Sequence, residues 1–172
     1  MSLNPYLQFD GNAEGALELY RDALGGKADV LRFADNAEAA NHVPPDWKNK
    51  IMHGRLSTPL GTIMLCDAPP QFAKRAGDNV RIAVHVESDA QAESVFAKLA
   101  AGGEVTMPLG KTFFAEKFGM CTDKFGVSWQ IVPDGIADYI AGDDEQGSQR
   151  AMEAMFEMKK LDINVLRRAY EG

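Results

Sequence analysis

Two stretches of the chain carry the same spacing of apolar and polar positions. In "FDGNAEGALELYRDALGG" (9–26), Ala13, Ala16, Leu17, Tyr20 and Leu24 recur three and four apart, which lines one face of a helix. In "VESDAQAESVFAKLAAGG" (86–103), Ala92, Val95, Phe96 and Leu99 form a second such face. Laid over each other without a gap, Phe9 meets Val86, Leu19 meets Phe96, Arg21 meets Lys98 and Gly25-Gly26 meets Gly102-Gly103. Asn12 and Asp89 stand where a side-chain oxygen caps a helix start. The glycine pairs supply the left-handed residue that ends one.

The strands repeat as well. "HGRLSTPLGTIMLCD" (53–67) overlays "FGMCTDKFGVSWQIV" (118–132), with Gly54 on Gly119, Ser57 on Thr122 and Gly61 on Gly126. Both read as strand, turn, strand. The first half holds extra residues between its helix and its hairpin, and "ADNAEAANHVPPDWKNK" (34–50) is the place for them, an irregular loop marked by Pro44-Pro45. The chain is therefore expected to be α+β, with strand–helix–strands modules at 1–67 and 80–133 and a linker at 68–79. The tail, 143–172, reads as two helices. Ser148 is expected to cap one carrying Ala151, Met152, Met155 and Phe156, and Asp162 a shorter one carrying Val165, Leu166 and Ala169. These helices would pack on the sheet or on a partner subunit, or form a Met-rich binding groove.

Composition narrows the function. The 172 residues suffice for a core without staples, and 25% charged with 45% apolar residues is ordinary for a globular protein. A formal net charge of −7 argues against nucleic acid, whose phosphates call for clustered Lys and Arg. Cys66 and Cys121 have no zinc or C-x-x-C spacing and read as small core residues. No apolar run is long enough to span a bilayer, and "MSLNPYLQFDG" lacks the pattern of a signal peptide, so a cytoplasmic location is expected.

The segments "PYLQFDGNAEGALELYRDALGG", "IMHGRLSTPLGTIMLCDAPP", "MPLGKTFFAEKFGMCTDKFGVSWQI" and "RAMEAMFEMKKLDINVLRRAY" resemble the PhnB-like family of the glyoxalase/bleomycin resistance/dioxygenase (vicinal oxygen chelate) superfamily. The domain of that family is often labelled 3-demethylubiquinone-9 3-methyltransferase. The resemblance implies two βαβββ modules forming a cupped mixed sheet, helices outside, a ligand on the concave side and a homodimer. In metal-dependent members, His or Glu ligands come from the start of each module's first strand and from its last strand. Transferred through the repeat, those positions are Asn4, Arg81, Leu65 and Gln130. Leu cannot ligate, Arg repels a cation and amides bind divalent ions weakly, so no metal and no cofactor is expected. The register shifted by one, to Pro5, Met64, Ile82 and Trp129, offers no better set.

Alternation along the strands sorts the two faces. Ile82, Val84 and Val86 suit the helix-covered side, which turns Arg81, Ala83 and His85 to the cavity. By the repeat, Asn4, Tyr6 and Gln8 follow, as do Ser128 and Gln130 beside core-facing Val127, Trp129 and Ile131. His53 and Arg55 share one face of their strand. The candidate ligand-binding residues are thus Tyr6, Gln8, His53, Arg55, Arg81, His85 and Gln130, with Arg suited to planar anions. Three functions fit: metal-independent binding of a small polar or anionic molecule; an enzyme in which Arg81 fixes an anionic substrate and His53 or His85 moves protons; and a quinone-precursor methyltransferase. "LGKT" (109–112) has Val105 where a P-loop needs glycine, and no Gly-rich turn opens a helix after a strand, which speaks against Rossmann-type cofactor binding.

Overall fold

The computed structural model describes residues 2–69, 72, 77, 79–112, 117–133, 139–158 and 162–172. The first module runs β1 (Tyr6–Phe9), α1 (Ala13–Leu24), β2 (Lys27–Arg32), α2 (Ala37–Asn41), β3 (Ile51–Thr58) and β4 (Gly61–Asp67). The second runs β5 (Ile82–Val86), α3 (Asp89–Ala100), β6 (Glu104–Gly110), β7 (Phe118–Thr122) and β8 (Ser128–Pro133). Each module builds its own four-stranded mixed sheet, in the orders β1-β4-β3-β2 and β5-β8-β7-β6. In both, the first strand pairs parallel with the last, and the other pairs are antiparallel. Two helices follow, α4 (Glu145–Glu157) and α5 (Ile163–Glu171). Most of the linker at 68–79 lies outside the described residues. No helix among the described residues is long and apolar enough to cross a membrane.

The apolar stripes predicted from spacing face one common core. Ala13, Ala16, Leu17 and Tyr20 of α1 and Ala92, Val95 and Leu99 of α3 join Leu56, Leu65, Val86, Trp129 and Ile131 from the strands. The two helices also touch each other, and Lys98 Nζ donates to the Asp22 backbone oxygen at 2.7 Å. Because α1 covers the first sheet and α3 the second, their contact merges two half-cores into one.

The glycine pairs do more than end helices. Gly25 and Gly102 adopt φ of 73° and 74°, the left-handed turn a Cβ would strain. A Cβ at Gly26 would collide with the Ser57 carbonyl oxygen, and one at Gly103 with that of Thr122. Ser57 and Thr122 are themselves repeat partners, so the same close approach occurs once in each module.

Four local expectations need correction. The cap of α3 is Ser88, which accepts from Gln91 N, so Asp89 is the first helical residue. Asn12 occupies the cap position of α1 but makes no side-chain cap bond; Asp67, at the end of β4, accepts from Ala13 N at 2.9 Å instead. The cap of α4 is Asp144, and Ser148 lies inside the helix with its hydroxyl directed to the Gly142 backbone oxygen. The stretch at 34–50 is a chain of short helical turns, with Trp47 buried, in place of an irregular loop. Asp162 does stand before α5 and accepts from Val165 N.

The tail helices pack chiefly on each other. Arg150 closes this hairpin by donating to the backbone oxygens of Ala169 and Tyr170 at 2.9 and 2.6 Å, which satisfies the exposed carbonyl end of α5.

One side chain ties the modules together. Asp123, 3% exposed, opens the β7–β8 turn and accepts four hydrogen bonds. Phe125 N and Val127 N reach Oδ1 at 2.8 and 3.0 Å; Trp129 Nε1 and the Tyr20 hydroxyl reach Oδ2 at 2.8 and 2.9 Å. A buried carboxylate is tolerable only when it is satisfied this fully. Replacing it orphans a hydroxyl and an indole N–H in the core, so Asp123→Ala is expected to lower unfolding free energy by about 3–5 kcal/mol in urea titration. Tyr20→Phe removes one bond and is expected to cost about 1–2 kcal/mol.

Candidate functional site

The face of each sheet turned away from the helices is set by strand alternation. On β1, Tyr6 and Gln8 are exposed while Phe9 is buried; on β5, Ala83 and His85 are exposed while Val84 and Val86 are buried. Ile51, Gly54 and Leu56 of β3 are buried, and between them Arg55 is exposed and His53 half-buried. On β8, Gln130 is half-buried between core residues Trp129 and Ile131. Arg81, just ahead of β5, is exposed and has no carboxylate partner among the described residues.

The first module concentrates the chemistry. Along the ladders, Tyr6 lies opposite Met64, Met64 opposite Arg55, and Arg55 opposite Asp29, so one row crosses the whole sheet. The Tyr6 hydroxyl lies 3.3 Å from His53 Nδ1, with the two rings 5.8 Å apart between centroids. Desolvation, with a further contribution from a hydrogen bond to the Cys66 thiol, pushes the Tyr6 phenol up to about 12. Tyr6, His53 and Arg55 therefore form one patch of a phenol, an imidazole and a guanidinium.

A groove of about 870 Å³ runs beside β1. Tyr6, Gln8 and Asp10 line one side; Ile82, Phe125 and Ser128 line the other. It is built from the edge strands of both modules, and Tyr6 is the residue shared by the groove and the patch. The lining does not include Arg55, Arg81, His53, His85 or Gln130. The structure thus brings Tyr6, His53 and Arg55 together on one sheet, sets Gln8 beside them in the groove, and leaves His85 and Gln130 on the second sheet.

The positions transferred for a metal do not converge. Leu65 is fully buried in the core, and it was the position transferred only because the last strand of the second module is displaced by one residue relative to the first. Between Ser57 and its partner Thr62 lie residues 58–61; between Thr122 and its partner Ser128 lie residues 123–127, one residue more. The true counterpart of Gln130 is Met64, each paired to the matching residue of its module's first strand, Ala83 and Tyr6. Asn4, Met64, Arg81 and Gln130 are a poor set for a divalent ion. Among the described residues, no three of His, Cys, Asp and Glu gather in a metal-binding group.

Sequence reasoning passed over two features of this site. Cys66, expected to be a small core residue, is buried, and because it alternates with Leu65 and Asp67 it lies on the sheet face of Gln8, its partner on β1. The alternation in "TIMLCD" carried that signal. Asp67, 2% exposed, accepts from both Ala13 N and Ile51 N at 2.9 Å and thereby fixes the start of β3 just before His53.

Comparison with known proteins places this geometry. The family model described as 3-demethylubiquinone-9 3-methyltransferase matches residues 1–132. Protein YjdN of Escherichia coli (strain K12) is 32% identical over 139 residues, which cover 76% of this chain and 94% of YjdN. Protein PA1353 from Pseudomonas aeruginosa superposes with a TM-score of 0.70 and 42% identity, over 77% of this chain and 97% of that one. A putative 3-demethylubiquinone-9 3-methyltransferase, PhnB protein, from Bacillus cereus gives a TM-score of 0.62 and 26% identity, over 77% and 99%.

The Tyr6 phenol has a signature in alkaline stability. Its folded value, about 12, lies above the ordinary phenol value of 10.0, so its contribution is complete below pH 10 and is lost as pH rises through 12. Urea midpoints measured from pH 9 to 12 are expected to fall over that window, and Tyr6→Phe is expected to make the fall shallower.

Proposed function

This chain belongs to the 3-demethylubiquinone-9 3-methyltransferase (PhnB-like) family of the glyoxalase/bleomycin resistance superfamily, and from that premise we propose that it binds a small polar or anionic molecule without a metal ion. The observation that carries the reading is the patch of Tyr6, His53 and Arg55 on the outward sheet face, which meets the groove beside β1 at Tyr6. Arg55 supplies a fork for a carboxylate or phosphonate, Tyr6 and His53 supply hydrogen-bonding groups, and Gln8 extends the polar surface into the groove. Arg81, His85 and Gln130 extend the same function on the second sheet. Phe125 and Ile82 give the apolar body of a ligand something to lie against.

The Tyr6–His53 contact also supports an enzymatic reading. A phenol and an imidazole at 3.3 Å form a pair that can pass a proton to or from a molecule fixed by Arg55. The methyltransferase activity in the family's description is not carried over to this chain. A homodimer accords with the exposed apolar residues Val30, Leu31, Val105 and Met107 on the edge strands β2 and β6. The two free cysteines suit a reducing, cytoplasmic setting.

Elemental analysis of protein purified without chelator is expected to find no stoichiometric divalent metal; one zinc, nickel, iron or manganese per chain overturns the metal-independent reading. A thermal-shift screen of small carboxylates and phosphonates is expected to give hits that Arg55→Gln weakens roughly tenfold or more. Sedimentation of the full chain is expected to give a dimer, and a monomer removes that part of the proposal.

A further inference from the structure

The groove beside β1 differs in charge from the patch it meets at Tyr6. The patch holds the Arg55 guanidinium, whereas Asp10 is the one charged residue among the described residues that line the groove. Gln8, Asp10 and Asn12 follow one another down one wall, along β1 and the turn that leads into α1. All three are exposed, and among the described residues none of their side chains makes a hydrogen bond or an ion pair. Asn12 is left at the groove because Asp67 caps α1 in its place, accepting from Ala13 N at 2.9 Å. The opposite wall offers the apolar surface of Ile82 and Phe125 and the Ser128 hydroxyl. The volume, about 870 Å³, falls within the roughly 300–1,000 Å³ of small-molecule sites.

We propose that this groove takes an organic cation with a flat apolar body, such as an aryl amidine, guanidine or amine. The Asp10 carboxylate accepts two parallel N–H bonds from an amidinium or guanidinium, the strongest pairing open to an exposed acid. The amide oxygens of Gln8 and Asn12 accept further N–H groups, and Phe125 and Ile82 cover the ring. An anion in the same place would meet the charge of Asp10 with no cation among the described lining residues to offset it. A neutral ligand would forgo the charge-assisted bonds. The assignment rests on the reading of this groove as part of a ligand site and supplies that site's second pole: Arg55 selects an anionic group on the sheet face, and Asp10 a cationic one in the groove.

Two lysines near these walls are engaged elsewhere. Lys50 Nζ donates to the Gly11 backbone oxygen at 2.5 Å, and Lys124 Nζ lies over the Phe125 ring, 5.3 Å from its centroid. Neither lines the groove. The second contact already places a cation over the ring that would cover the ligand. The formal net charge of −7 adds a general attraction for cations, which salt screens.

The test titrates the isotope-labelled full chain with benzamidine, benzamide and benzoate, which share a ring and differ in charge, and follows the backbone amides by NMR. Benzamidine is expected to bind roughly tenfold tighter than benzamide, with benzoate weakest, and to shift the amides of Gln8, Asp10, Asn12 and Ser128 most. Asp10→Asn, at an exposed position without a partner among the described residues, should keep the wild-type Tm. It should bring benzamidine down to the affinity of benzamide and leave benzamide itself unchanged. Added salt should weaken benzamidine alone. Benzamidine binding no tighter than benzamide overturns the proposal, as do shifts centred away from the groove or an Asp10→Asn variant that binds benzamidine like the wild type. Carboxylate hits that depend on Arg55, found together with a failed benzamidine series, overturn the cationic assignment and leave the proposed function standing. Benzamidine binding that depends on Asp10, found without any carboxylate hit, supports the assignment and removes the anionic half of that function.

Discussion

The structure depends on one buried carboxylate. Asp123 belongs to the second module by sequence and reaches the first through the Tyr20 hydroxyl. It also holds its own turn by two backbone bonds and the Trp129 indole by a third. Tyr20 and Trp129 meet edge to face, with centroids 5.0 Å apart, so the polar contact and the aromatic contact occupy the same junction. The equivalent residue in the first module, Thr58, bonds only within its own turn, to Gly61 and Leu60. The repeat is therefore symmetric in fold and asymmetric in how its halves are joined.

That junction places the site. With the helix-covered sides of both sheets committed to a common core, chemistry can appear only on the outward faces and along the groove between β1 and the second module. The same division explains why the transferred metal positions do not converge. With a single extra residue in the second turn, the thioether of Met64, not the buried Leu65, holds the place that Gln130 holds in the other half. The outward face is left with a phenol, an imidazole, a guanidinium and a thiol rather than a ring of carboxylates.

Much of this was legible in the sequence, where the controlling forces are local. The helices α1 and α3 were readable because their buried positions recur at helical spacing, and their ends because the glycine pairs have no replacement at a left-handed turn followed by a carbonyl contact. The outward placement of Tyr6, Gln8 and His85 followed from period-two alternation alone, which gave His53 and Arg55 a shared face without saying which one. What was missed depends on partners distant in the chain. Asn12 has the chemistry of a cap, but Asp67, from 54 residues away, makes the bond to Ala13. Ser88 and Asp89 are both good caps, and composition does not choose between neighbours. The one-residue difference between the two turns hid in an overlay whose glycines aligned before the slip began. The Tyr6–His53 contact spans 47 residues and leaves no local trace.

The two buried aspartates also divide the labour of biosynthesis. Asp67 closes the first half with bonds to Ala13 and Ile51, all within the first 67 residues, so this half can be sealed at its helix start as soon as it leaves the ribosome. Tyr20 cannot be completed then. Its acceptor lies 103 residues downstream, and the indole that packs on it later still. A nascent chain interrupted before the second turn would present a well-formed helix with an unanswered phenol and a bare apolar flank. Such a half-made product looks unfinished from outside, which is the feature by which a cell's proteases and chaperones could tell it from the whole protein.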